Sequence, residues 1–565
     1  MIPQLQQNVL CLLCLFVAPL LWQDIGGSLA FQGQDIVGGA AIIFKPPQRV
    51  KDLIGNAAAM MAVKRPARSG RNTDVARNTS RTRPPTQPTT TDTTAAASTD
   101  ARVEELKNQG NTLYDSGQYA QALAAYENAA KLAPGDAQAH AAVGDTYITL
   151  GRFAEAAAAY EETVKLEPNN AGAYSNLGYA YDKLGKVDQS IAALKNAVGL
   201  KADDAVAFNN LGASLYKAGR YQEAIEAFNN AVRLAPNDAD ALNNLGAVWY
   251  MLQQYPRALD SFQKAVAAKP DSADAHYNLG NTYYMSGKYR EATAAYRRAI
   301  ELRSDYAEAR TNLGSLLITQ GDFRNAITEL QESIRQRADN PVAHNNLGYA
   351  YVKLGETMDR VPANEYLRKA VVSYKEALRL KPGYVKAMNN LGAAHNKLGQ
   401  YTEASELLTL AVRAKADFAE AHYNLGTALY NRGQFKEAAA EFQQAVQLKK
   451  DYVEAYNSLG TALYKAEQFA PAIEAYKRTL ALQPGNAETN NNLGTVYFRL
   501  KRYQEAAASF KEAIRIKPDY GEAHFNLALA CVALNDRKAA LDQYNKLKKV
   551  DSKLAEDFFQ RYMKK

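Results

Sequence analysis

The sequence predicts an all-α solenoid built from about thirteen helix-turn-helix units that run from about Val103 to Leu554. Two observations at a 34-residue period lead there. Counting Val103 as place one, glycine stands at place eight in twelve of thirteen units, from Gly110 to Gly494, with Ala528 the exception. Alanine stands at place twenty in twelve of thirteen, from Ala122 to Ala540, with Ser190 the exception. The third observation is length: at 565 residues an ordinary globular chain would divide into several cores, whereas stacked repeats add length without enlarging any core.

Each half of a unit carries helical periodicity. In the unit from Ala205 to Asp238, Phe208, Leu211, Gly212 and Leu215 stand at i, i+3, i+4 and i+7, and Ala224, Phe228, Ala231 and Val232 repeat the pattern. Gly219 stops the first helix, and Pro236, Asn237 and Asp238 close the unit with turn and capping chemistry. A glycine inside a helix costs about 1 kcal/mol relative to alanine. Twelve such glycines need a packing reason: the two helices approach until bulky residues at places four, seven, eleven and twenty-four interlock. A large residue at Gly246 or Ala258 is expected to wedge them apart.

The segment Ala273 to Tyr283, read Ala-Asp-Ala-His-Tyr-Asn-Leu-Gly-Asn-Thr-Tyr, closely resembles the tetratricopeptide repeat family, and the likeness covers about four fifths of the chain. The resemblance implies a right-handed superhelix whose concave side is lined by the first helix of each pair. Ten extra residues between Gly355 and Ala370, in the stretch 356–369, predict a turn that bulges out. Beyond the last unit, residues 555–565 are expected to form a capping helix, with Leu554, Phe558, Phe559 and Tyr562 covering the open end.

Residues 1–30 are expected to be a signal peptide or N-terminal anchor. Val9 to Trp22 is a fourteen-residue apolar run broken only by Pro19, and Ser28-Leu29-Ala30 supplies small residues before a cut. Export to a periplasmic, secreted or envelope-associated location follows, with a cytoplasmic location the alternative. Residues 31–102 read as a linker, basic and then Thr/Pro-rich, and Thr79 to Asp100 lacks the apolar residues to offset chain entropy. Were the leader retained, Ile36 to Phe44 beside the Arg-rich stretch would favour membrane association.

The formal charge of +8 is confined to a short segment: Lys45 to Arg83 holds ten Lys or Arg and two Asp. From Ala101 onward 57 basic residues face 53 acidic ones, so the array offers no phosphate-binding surface and nucleic acid is excluded as its partner. Cys11 and Cys14 lie in the apolar leader, which leaves Cys531 alone in the fold. The six histidines fall on packing places, four and eleven, a unit or more apart, so no metal site is expected. Phosphate-loop, nucleophile-elbow and zinc-protease motifs are missing, and neither catalysis nor a cofactor is expected.

The pattern with functional content is asparagine at place six, in eight consecutive units: Asn176, Asn210, Asn244, Asn278, Asn312, Asn346, Asn390 and Asn424. A carboxamide can pair with both backbone groups of a guest. Helices stack about 10 Å apart, the span of three extended residues, so the ladder and an extended guest keep register. Here the repeats are similar to the arm of the O-linked N-acetylglucosamine transferases, in which such a ladder grips extended substrates; the catalytic half is without counterpart in this sequence. Tyr216, Tyr250 and Tyr284 at place twelve, and Lys183, Lys217, Lys353 and Lys397 at place thirteen, are expected to border the same groove and favour acidic guests. Lys107 and Asn111 begin a carboxylate clamp that Ala142, Gly172 and Asn176 fail to complete. The expected function is a non-enzymatic scaffold that binds a protein or extended peptide in a concave groove. The alternatives are the noncatalytic arm of a glycosyltransferase complex and an architectural subunit of an envelope export assembly.

Overall fold

A computed structural model of the chain describes residues 93–358 and 360–563. The leader, the apolar patch, the basic segment and most of the Thr/Pro-rich linker lie outside the described residues. The described chain falls into two units, one ending at Ala416 and one beginning at Asp417.

Twenty-seven α-helices follow one another among the described residues, paired as antiparallel hairpins. A typical repeat has a first helix of thirteen residues, such as Ala137–Thr149, and a second of fourteen, such as Phe153–Leu166. The first helices start at places dictated by capping: Asp136, Asp204 and Asp238 accept hydrogen bonds from backbone N–H groups at the helix start, as do Asn170 and Ser272. They stop at place fifteen, where the chain turns left-handed. Glycine takes a positive φ at that place in eight repeats, among them Gly219 at φ +74°, whereas Gln253, Glu467, Lys501 and Asn535 adopt the same positive φ with a side chain. Within each unit, every second helix packs on the next first helix, and successive first helices touch directly.

The small-residue seam has a definite partner. Each place-eight glycine lies against the ring or branched side chain at place twenty-four of its own repeat: a Cβ on Gly246 would come within 2.8 Å of the Phe262 ring, and one on Gly460 within 2.7 Å of the Tyr476 ring. Phe228, Phe262, Tyr296, Phe442, Tyr476 and Phe510 are thereby buried almost completely. The glycine gives up helix propensity so that an aromatic side chain can be buried whole.

Three features depart from the sequence reading. The first helix begins at Thr93, ten residues before Val103, so the end of the expected linker is helical; Ala95, Ala96 and Ala97 are the strongest helix formers and extend it backwards. The insertion forms no bulged turn. Its ten residues lengthen the two helices of one hairpin, Pro341–Glu356 by three residues and Arg360–Leu380 by seven. Gly355, which stops other first helices at its place, here stays helical and packs against Ala363 and Tyr366 of the partner helix. The cap starts at Ser552, where Asp551 accepts from the N–H groups of Lys553 and Leu554. Phe558 is fully buried against Phe525 and Leu547, and Tyr562 packs at the edge of that cluster.

Candidate functional site

The asparagine ladder is a bond between repeats. The side-chain N–H of Asn244 donates to Oδ1 of Asn209 at 2.9 Å, that of Asn278 to Asn243 at 3.0 Å, and that of Asn390 to Asn345 at 3.0 Å. In each pair, place six donates to place five of the preceding repeat. Where place five is not asparagine, place nine of that repeat accepts: Asn176 donates to Asp145 at 3.2 Å, Asn312 to Asn281 at 2.9 Å and Asn346 to the hydroxyl of Ser315 at 2.7 Å. Asn526 and Asn491 repeat the bond in the second unit at 3.0 Å. Asn210 and Asn424 are buried as well, and of the eight candidates only Asn312 keeps partial exposure.

This corrects the expected role of Asn176, Asn210, Asn244, Asn278, Asn312, Asn346, Asn390 and Asn424 as free carboxamides at a groove. The physical reason lies in the neighbour: place five or nine supplies an acceptor at the same height, and satisfying a buried amide within the fold outweighs leaving it for a guest.

The place-twelve tyrosines are likewise interior. Tyr216, Tyr250 and Tyr284 are all buried, with their rings against Tyr221, Tyr255 and Tyr289 at the start of the second helix. Burial pushes the Tyr216 phenol up to about 12, and raises Tyr250 and Tyr284 as well. The groove-bordering role expected of the three rings is therefore replaced by packing.

Three of the four candidate lysines are neutralised within the chain. Lys217 reaches both oxygens of the buried Asp182 at 2.7 Å. Lys353 and Lys397 close on the two oxygens of Glu356 at 2.7 and 2.6 Å. Burial raises that carboxyl, but the two lysines outweigh it and hold the acid below its ordinary range. Lys183 stays exposed, with its ammonium 5.3 Å from the centre of the Tyr179 ring. Lys107, half of the incomplete clamp, is bonded to Asp136 and Glu104. A preference for acidic guests therefore loses its cations.

What remains unspent is a set of acids that the sequence reading passed over. Place two of four successive repeats in the second unit is Glu420, Glu454, Glu488 and Glu522, all partly or largely exposed. Among the described residues none of the four closes a salt bridge. Tyr452 lies within the field of both Glu420 and Glu454, and Tyr520 within that of Glu488 and Glu522, so neighbouring carboxylates share one face. Burial and then repulsion by Glu488 raise Glu522 above its ordinary range. In the first unit the same place is closed off: Arg303 grips Asp274 with two bonds at 3.0 and 2.9 Å, and Arg337 bonds Glu308 at 2.5 Å. The signal was legible as glutamate recurring at one place of four consecutive units.

Family models described as tetratricopeptide repeat match residues 277–341, 311–357 and 457–521, and also 367–429 and 497–556; a model described as TPR repeat matches 426–467. The chain belongs to the tetratricopeptide repeat family. A model of the Cilia and flagella-associated protein 70 C-terminal domain also matches residues 74–306. Among solved structures, the chain is similar to one described as the APC/C hetero-tetramer Cut9-Hcn1, at 14% identity and a TM-score of 0.39, covering 84% of this chain and 99% of that one. It is similar to YrrB, described as a TPR protein with an unusual peptide-binding site, at 24% identity and a TM-score of 0.30, covering 34% and 95%. For MamA the values are 30% identity and a TM-score of 0.28, covering 29% and 97%. No curated protein matches.

As a tetratricopeptide repeat chain, this is a protein-interaction scaffold. Its histidines serve the stack: Nε2 of His140, His276, His344 and His524 each meets the carbonyl oxygen at place thirty-two of the preceding repeat, at 3.0 to 3.1 Å. Among the described residues no three potential ligands converge as a metal site, and no helix is long and apolar enough to cross a membrane.

Proposed function

We propose that the chain holds an extended segment of a partner protein along the faces of its first helices, and that the second unit selects a segment rich in Lys and Arg. The observation that supports this reading is the row of Glu420, Glu454, Glu488 and Glu522, one carboxylate per repeat, none of which closes a salt bridge among the described residues. Helices stack about 10 Å apart and an extended chain advances about 3.3 Å per residue, so a guest cation at every third residue meets each carboxylate in turn. Affinity comes from several modest, salt-screened pairs acting along one segment, with the buried asparagine bonds keeping the rungs in register.

The test uses the full chain and two extended peptides of about ten residues, the length that spans four rungs: one with Lys or Arg at every third position, and its counterpart with Glu. The basic peptide is expected to bind at least tenfold more tightly at low salt, and this preference to vanish in the variant carrying Glu420→Gln, Glu454→Gln, Glu488→Gln and Glu522→Gln. Equal affinity for the two peptides, or binding unchanged in that variant, would sink the proposal.

A further inference from the structure

Place twelve of one repeat meets place thirteen of the next across a polar rung. The hydroxyls of Tyr114 and Thr149 lie 2.6 Å apart, Asp182 holds Lys217 and Tyr464 faces Arg499, whereas the buried Tyr284 hydroxyl, in register with Thr319, makes no hydrogen bond. Other joints lack such a pair, as where Ile148 stands in register with Lys183, and two consecutive joints set a tyrosine in register with a methionine. In the same register Met251 stands opposite Tyr216 and Met285 opposite Tyr250, and both side chains pack, half-buried, on the apolar cluster that contains the two tyrosines.

The hydroxyls of Tyr216 and Tyr250 are buried and have no hydrogen-bond partner. Their rings are 5.5 and 5.7 Å from those of Tyr221 and Tyr255, so the hydroxyls are held in place rather than free to swing out. A thioether is a weak acceptor, and here it does not take the bond. The sulfur atoms, in contrast, belong to side chains with access to solvent and thus to small oxidants.

We propose that Met251 and Met285 form a paired methionine oxidation site, in which hydrogen peroxide oxidises each thioether and the new sulfoxide oxygen accepts the hydrogen bond that Tyr216 or Tyr250 lacks. A sulfur lone pair attacks one peroxide oxygen, the O–O bond breaks, the S–O bond forms and water leaves. The sulfur loses two electrons, the peroxide gains them, and each phenol keeps its proton. Elsewhere a sulfoxide is a polar intrusion into packing; at these two rungs it stands at the place where Thr149 brings the hydroxyl that meets Tyr114, and the phenols receive it.

The full chain is treated with hydrogen peroxide, mapped by peptide mass spectrometry and melted by circular dichroism, alongside Tyr216→Phe/Tyr250→Phe. Met251 and Met285 are expected to be oxidised ahead of Met388, which lies off this rung. The oxidised wild type is expected to melt no lower than the reduced form, and the oxidised double variant several degrees lower than its own reduced form. Equal shifts in the two proteins, or oxidation of Met388 first, would overturn the assignment. Each single Phe variant gives the same readout for its own rung, should the double variant fail to fold.

Discussion

The two units use the same seam and spend their charges differently. In the first, the arginines at place thirty-one, Arg303 and Arg337, close on Asp274 and Glu308 of their own repeats. In the second, the same place holds Lys449 and Lys517, whose ammonium groups lie over the rings of Tyr452 and Tyr520, 4.4 and 5.3 Å from their centres. A guanidinium presents a planar fork that matches a carboxylate; a lysine is a point charge on a flexible stem and settles on the neighbouring ring. In these four repeats the arginine at that place holds the acid at place two of its own repeat, and the lysine lies on the neighbouring ring without closing on it.

The seam is the control for this comparison, since it is common to both units. Gly246→Val and Gly460→Val are each expected to cost about 3 kcal/mol, because a branched side chain is driven into a buried ring. Hydrogen exchange should localise each loss to the mutated unit; a loss of less than about 1 kcal/mol at either glycine would show that the ring can move aside.

Next in size is the amide bond between repeats. Asn278→Ala and Asn526→Ala each leave a buried partner, Asn243 or Asn491, without its hydrogen-bond donor, and each is expected to cost about 1–3 kcal/mol in chemical denaturation. Variants that melt like wild type, yet bind peptide less well, would restore the reading of the ladder as a guest-binding surface.

Exchanging the cations tests the difference itself. Lys449→Arg is expected to close on Glu420 and weaken binding of the basic peptide severalfold, while Arg303→Lys releases Asp274 and strengthens it in the first unit. Stability should change by less than about 1 kcal/mol in both, as for exposed ion pairs generally. No change in binding from either exchange would mean that the place-two acids do not meet the guest.

The smallest effect is that of pH. Glu522 has a raised pKa in the folded chain, so folding binds protons as the pH falls, and stability is gained toward acid and lost as pH rises through its titration. Glu522→Gln removes the repulsion with Glu488 and is expected to raise the unfolding free energy at pH 7 by about a few tenths of a kcal/mol, for so exposed a group. The gain should shrink as the pH falls through the carboxylate range and wild-type Glu522 takes up its proton; a gain unchanged with pH would assign it to something other than charge.

The repeat architecture was legible because glycine at place eight and alanine at place twenty record a packing constraint that only small residues meet. The fate of the asparagines was not, because periodicity tells which face of its own helix a side chain occupies, not what the next repeat offers at that height. The doublets Asn209-Asn210, Asn243-Asn244, Asn345-Asn346 and Asn389-Asn390 carried the hint: acceptor and donor at adjacent places make successive repeats complementary to one another. The insertion was misjudged for a related reason. The stretch 356–369 contains Pro362, a residue that breaks a helix from within, yet proline is tolerated in the first turn of a helix, and Pro362 lies two residues into the helix that starts at Arg360.

The asparagine bonds also bear on how such a chain can change its size. Asn209 receives Asn244, and Asn243 receives Asn278, each bond spanning 35 residues. Excising residues 239–272 as a block would present Asn278 to Asn209, and the joint would reseal with the same chemistry. Shortening by any fraction of a module would strand an amide inside the stack, so this protein can lose or gain reach only in whole modules.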